Sequence, residues 1–234
     1  MLRCIKAAFL TALFSTLPRA GAFAPNSKIS SVLFRQVLFA LPRIEQLSKD
    51  PFMKQVAHAS EIVPLISMGK GEDISELLQA QFSHSDGIRG FFVVYLTGEG
   101  SNTAADAPIV PLPLASALET VVDQKDLVSL ACMNVIMPTA MSTMHEEESL
   151  RQNSSRTAKR GIIILKYLAK LYPEYVKSNC DAIMAAARDG GSSHGEQASY
   201  WKQFFSNYSY EDQQRKDILS AIASIDIQGQ KCNT

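Results

Sequence analysis

Arg156 and Arg160 stand four residues apart, a spacing that sets both side chains on one face of a helix. Two guanidinium groups so placed can grip a phosphate or a carboxylate, or one can close a salt bridge inside the fold. Just upstream, "HEEE" occupies residues 145–148. His145 beside Glu146, Glu147 and Glu148 offers donors for a metal ion or a proton shuttle. Three consecutive acids cannot share one helix face, however, so a solvated loop is the reading expected. If the elements on either side form a hairpin, the acidic and basic clusters lie near each other.

A second group is "SHSDGIRG", residues 83–90. Gly87 and Gly90 permit close backbone approach, and exposed N–H groups at a helix start attract anions, with Arg89 adding charge. Asp86 opposes this, because an N-cap carboxylate would occupy those same groups. His84 has no evident catalytic partner in the sequence. Met133, Met137, Met141 and Met144 repeat at 4, 4 and 3, on one helix face. They read either as core packing or as a soft surface for a partner or pigment. Asn134 accompanies Pro138, whose missing N–H frees the carbonyl of residue 134. The amide either ties two helices together or points at a ligand. Trp201 belongs to an aromatic-rich segment, Tyr200 to Tyr210, that could meet a partner.

Helical periodicity dominates the elements that must hold these residues. Phe52, Met53, Val56, Ala57 and Ser60 mark a short helix with Pro51 in its first turn. Ile74, Leu77, Leu78 and Phe82 mark another, with Glu72 and Asp73 at its start. Phe91 to Leu96 has strand-like composition, but a lone strand leaves its backbone unpaired. A helix beginning at Ser85 or Asp86 is therefore expected there. Further helices are expected over Leu114–Val122, over Asp123–Met144 with a kink at Pro138, and from Ser154 or Ser155 to Tyr172. The next opens at Pro173, carries Val176, Cys180, Ile183 and Ala187 on one face, and ends at Gly190 and Gly191. Capping boxes are expected at Ser193 with Glu196 and at Ser209 with Asp212. Ile218, Leu219, Ile222 and Ile225 line the last helix. The expectation is about eight helices with short connections, an all-α, single bundle-like domain over residues 45–234.

The 234 residues carry 23 basic and 23 acidic side chains. The first acid is Glu45, so a chain starting at residue 45 holds 17 basic against 23 acidic residues. That acidity weighs against nucleic-acid binding. Cys4, Cys132, Cys180 and Cys232 lack metal-ligand spacing, and the four histidines form no zinc motif. No phosphate-binding glycine loop, dinucleotide fingerprint or nucleophile elbow occurs. Neither a metal nor a cofactor is expected.

Residues 1–22 have the order of a secretory signal: Arg3 and Lys6, an apolar run from Ala7 to Leu17, then Pro18 and the small residues Ala20, Gly21 and Ala22. Residues 23–44 contain serines, Lys28, Arg35 and Arg43 and no acid, the composition of a transit peptide. Ala22-Phe23-Ala24-Pro25 resembles the junction of the bipartite presequence of algae with secondary, red-lineage plastids. That resemblance implies passage through the secretory membrane to the plastid stroma or thylakoid. Leu33, Phe34, Val37, Leu38 and Leu41 form one helix face, either the transit helix or the first helix of the domain; the second is expected. "HSDGIRGFF" and "LACMNVIMPTAM" resemble uncharacterised helical proteins of cyanobacteria and plastids, which implies no activity.

The function expected is that of a non-catalytic helical plastid protein with a protein partner, an assembly, docking or regulatory factor for a photosynthetic or biosynthetic complex. The alternative is a plastid enzyme or small-molecule binder whose pocket lies between helices, lined by Asn134, Met137 and Arg89 or Arg156. A third reading is peripheral thylakoid contact through residues 31–41.

Overall fold

Ten α-helices follow one another in the computed structural model, which describes residues 41–67, 71–98, 104–188, 196–227 and 230–231. They are α1 (Ile44–Leu47), α2 (Phe52–Ile66), α3 (Gly71–Gln81), α4 (Ser85–Thr97), α5 (Leu112–Glu119), α6 (Gln124–Met144), α7 (Glu148–Leu171), α8 (Pro173–Ala187), α9 (Glu196–Tyr208) and α10 (Asp212–Ala223). A 3-10 turn, Ala104–Asp106, precedes α5. Two antiparallel strands of two residues each, β1 (Asp226–Ile227) and β2 (Gln230–Lys231), follow α10. The protein is thus all-α, as its periodicities require. The signal-like and transit-like stretches, residues 31–40, the glycines at 190–191 and Ser193 lie outside the described residues.

The helices form two groups around one continuous core. In the first, α2 packs on α3 and α4, and α3 on α1 and α5. In the second, α6 packs on α7, α8 and α10, and α8 also meets α7, α9 and α10. Helix α4 joins the groups by packing on both α6 and α7. Glycines make that assembly close. A Cβ on Gly90 would stand 2.6 Å from Gln55 Cβ in α2, and one on Gly87 would overlap the Gln81 carbonyl of α3. Residues 87 and 90 therefore do bring backbones together, but those of α2 and α3 rather than an anion.

Helix α6 is long and apolar enough to cross a membrane, yet half of that apolar window is buried against its neighbours. Its polar residues are spent within the fold. Asp123 caps its N-terminus by accepting from Asp126 N–H at 2.9 Å. Thr139 donates to Val135 O, and Thr143 donates to Asp217 of α10. Asn134 donates to Leu130 O at 2.8 Å in its own helix, so this amide bond does not tie two helices. The carbonyl of Asn134, left without an N–H by Pro138, receives α7 at closest approach instead. A Cβ on Gly161 would come within 2.7 Å of it.

Several boundaries differ from those read in the sequence. Helix α2 runs through Pro64 to Ile66; Ser60 and Pro64 both lie on its exposed side, where losing one backbone hydrogen bond to proline costs least. Pro51 is its N-cap rather than a first-turn residue. Helix α5 begins two residues and ends three residues earlier than expected, with Pro111 as its N-cap and Pro113 inside its first turn. Helix α7 begins at Glu148, well before Ser154: an acid in the first turn suits the positive end of the helix dipole. The run thus spans a junction: α6 ends at Met144 with His145 as its C-cap, and Glu147 and Glu148 open α7. Before α10 the capping box uses Glu211 and Gln214, not Ser209 and Asp212. Ser209 takes a left-handed φ of 51° and turns the chain between α9 and α10.

Candidate functional site

The basic face of α7 forms one wall of a groove of about 730 Å³. Gln152, Ser155, Arg156, Lys159 and Ile163 recur at helical spacing along it, and Ser142 of α6 and the 104–106 turn close the sides. Four cations, Arg151, Arg156, Lys159 and Arg160, line the groove against two carboxylates, Asp106 and Glu148.

Arg160 is its fixed floor, only 2% exposed. Its Nε and Nη2 donate to the two carboxylate oxygens of Asp106, both at 2.7 Å. Its Nη1 donates to Leu96 O at 2.9 Å and Gly98 O at 2.8 Å, at the C-terminal end of α4. A planar fork with fixed donors suits this set of acceptors; an ammonium does not. Tyr95 holds the same turn by donating to Ala104 O at 3.1 Å. Burial pushes its phenol well above the ordinary range, which keeps the proton in place. At the outer edge Arg151 pairs with Glu148 and also donates to His145 O and Glu146 O. The Arg151 guanidinium holds the Glu148 carboxyl below its usual range. Arg156 donates to Asn153 Oδ1, and neither it nor Lys159 forms an ion pair among the described residues.

The structure thus gathers Arg156 and Arg160 in one groove and gives Arg160 the internal salt bridge. His145 caps the C-terminus of α6 at the groove's edge. Partial burial lowers its pKa, with Glu147 opposing. No group of metal-ligand type stands together among the described residues. The other candidates lie elsewhere. Met137 packs against the core. Arg89 lies 5.2 Å above the Phe52 ring and 3.6 Å from Asp86. The Asp86 carboxylate accepts from Phe52 N–H at 3.2 Å, so it caps α2 rather than its own helix. Asn134, Met137 and Arg89 do not line the α7 groove.

His84 is structural. Its Nε2 lies 3.0 Å from Leu47 O and 3.1 Å from Gln55 Nε2. Both hydrogens of the Gln55 amide go to carbonyls, Leu47 O and Asp50 O. The geometry fits the tautomer with the proton on Nε2, donating to Leu47 O and fastening the end of α1.

Trp201 is fully buried and donates to Asn179 Oδ1 at 2.9 Å. That buried oxygen also accepts from Gln197, and with Ser129 the node links α6, α8 and α9. Around it the rings climb α9 at helical spacing. Trp201 meets Phe204 at 5.2 Å between centroids, Phe204 meets Tyr208 at 4.7 Å, and Tyr208 stacks on Tyr210 at 5.8 Å. Tyr200, 41% exposed, and Tyr208, 46% exposed, form the outer edge of this ladder. Tyr200 Oη lies 3.4 Å from Met133 Sδ on α6.

Asp106, Arg151, Lys159 and Asn179 were not singled out in the sequence. Arg151 and Lys159 continue the Arg156 face, a signal hidden by placing the start of α7 too late. Asp106 and Asn179 carry no local signal, since their partners lie 54 and 22 residues away.

Fold and surface define an all-α helical protein with a basic groove and an aromatic face. A family model described as "Uncharacterised conserved protein UCP020893" matches residues 52–225, from the first residue of α2 to just past α10, and the chain belongs to that family. No curated protein and no solved structure matches the chain.

Proposed function

We propose that the chain is a non-catalytic helical protein of the plastid, an assembly, docking or regulatory factor for a photosynthetic or biosynthetic complex. The observation that carries this reading is the ring ladder of α9, whose outer members Tyr200 and Tyr208 face solvent while their neighbours are locked in the core. Tyrosines held this way give a partner large apolar contact with little side-chain entropy left to lose, and their hydroxyls serve the polar rim. Met133 beside Tyr200 adds an adaptable contact. The occupant that fits is a partner protein offering an apolar side chain to the rings. The Ala22-Phe23-Ala24-Pro25 junction supports the plastid address.

The test is expression of the full chain, fused to a fluorescent protein, in an alga with a red-lineage secondary plastid, followed by mild purification. Plastid fluorescence and a stoichiometric subunit that Tyr200→Ala/Tyr208→Ala loses are expected. Fluorescence outside the plastid overturns the address. A complex that survives both substitutions overturns the role of the face.

A further inference from the structure

We propose that the α7 groove is a binding site for a phosphate monoester, with a small phosphorylated metabolite as its ligand. This goes beyond the docking role and rests on different residues. The groove's lining has two positive charges in excess, in a chain whose basic and acidic residues balance. A phosphate monoester carries close to two negative charges at neutral pH. A simple carboxylate brings one.

The division of the four cations points the same way. Arg160 is committed to Asp106, Leu96 O and Gly98 O, and Arg151 to Glu148. Arg156 and Lys159 remain on the groove wall without a carboxylate partner among the described residues. They supply a forked guanidinium and an ammonium on adjacent turns of one helix, a pair that can take two phosphate oxygens from different directions. Ser155, one residue before Arg156 on the same wall, adds a hydroxyl donor. Their support is rigid, because Arg160, one turn beyond Arg156, pins α7 to α4 and to the 104–106 turn. Ile163 and Ala105 add apolar lining to the same groove, against which the organic part of a metabolite can lie. About 730 Å³ is ample for a small phosphorylated molecule.

Calorimetric titration of the full chain with inorganic phosphate, glycerol 3-phosphate and glycerol tests the assignment. Saturable binding is expected for the two phosphates and none for glycerol. Tighter binding of glycerol 3-phosphate than of phosphate assigns the site to an organic monoester, whereas equal affinity assigns it to free phosphate and overturns the metabolite. Arg156→Ala/Lys159→Ala should weaken binding by about a hundredfold, on the order of tenfold for each charge-assisted contact removed. Both side chains are outside the core, so the variant should keep the wild-type melting curve. Lys166→Ala/Lys170→Ala removes the same charge from exposed positions of α7 away from the groove and should leave affinity unchanged. An equal loss in that control, or no saturable binding of either phosphate, overturns the site.

Discussion

Replacing Arg160 by lysine keeps the positive charge and removes the fork. In the native protein four N–H···O contacts, two to the Asp106 carboxylate and two to the carbonyls of Leu96 and Gly98, converge on a side chain that is 2% exposed. A lysine ammonium can stay opposite Asp106, but its one nitrogen cannot reach all four acceptors in this arrangement. Losing the partner of a buried carbonyl costs about 1–3 kcal/mol. Two such carbonyls, partly relieved by water entering from the groove, give roughly 2–4 kcal/mol. Arg160→Met also strands the Asp106 charge, and breaking a buried pair costs about 3–5 kcal/mol. Asp106 retains 28% of its exposure, which places the expected loss near the lower limit. For a domain of this size each kcal/mol moves the melting point by about 2–4 °C, so Arg160→Met should melt roughly 6–12 °C below wild type. The single tryptophan, Trp201, is buried, so its emission shifts to the red on unfolding and reports the transition. A lysine variant within about 0.5 kcal/mol of wild type, the range of an ordinary surface substitution, would refute the forked clamp.

Gly161→Ala should destabilise by up to about 2 kcal/mol, because overpacking of about 1–3 kcal/mol at the Asn134 carbonyl outweighs the gain of about 1 kcal/mol in helix propensity; a higher urea midpoint would reverse that order. His145 is held below its usual pKa of 6.5 chiefly by burial, with Glu147 opposing, so the unfolded chain takes the proton more readily. Its contribution should be complete above about pH 6.5 and fall as the pH drops through the folded value. Urea midpoints from about pH 7.5 to 5 should decline less steeply in His145→Asn, and identical slopes would exclude the effect. Burial raises the thiol pKa of Cys132 far above its usual range, so a thiol reagent followed by peptide mapping should label Cys132 only at the rate of global unfolding; rapid labelling in the native state would contradict the packing of α6.

Periodicity carried the fold where a helix has one apolar face. Val176, Cys180, Ile183 and Ala187 share such a face in the sequence, and all four are buried in α8. The aromatic run of α4 was legible as helix because nothing in the sequence could pair with it as a strand. Helix ends were less legible. Glu148 is an acid in a run of acids, and only the direction of the helix dipole tells a start from an end. The apolar spacing that marks the helix at Phe52 fades after Ser60, yet the helix runs on through Pro64 to Ile66. In the groove, the Arg156 and Arg160 face could be read from their spacing. Which of the two would be consumed internally could not, since Asp106 meets Arg160 only after α4, the turn and α7 have come together. At Asn134 the partner was local: the amide of an apolar helix donates to the preceding turn of its own helix, a choice the sequence leaves open.

The clamp on Arg160 also bears on chemistry that this loop does without. One guanidinium holds Leu96 and Gly98 on one side and Asp106 on the other, closing a loop of about ten residues. Small secreted domains close loops of that size with a cystine, whose persistence depends on the redox poise of the compartment. Here Cys132 and Cys180 are both free thiols, and the closure is electrostatic. Such a crosslink needs no oxidant to form and no reductant can open it. The segment between α4 and α5 keeps the same anchorage whether its surroundings are oxidising or reducing.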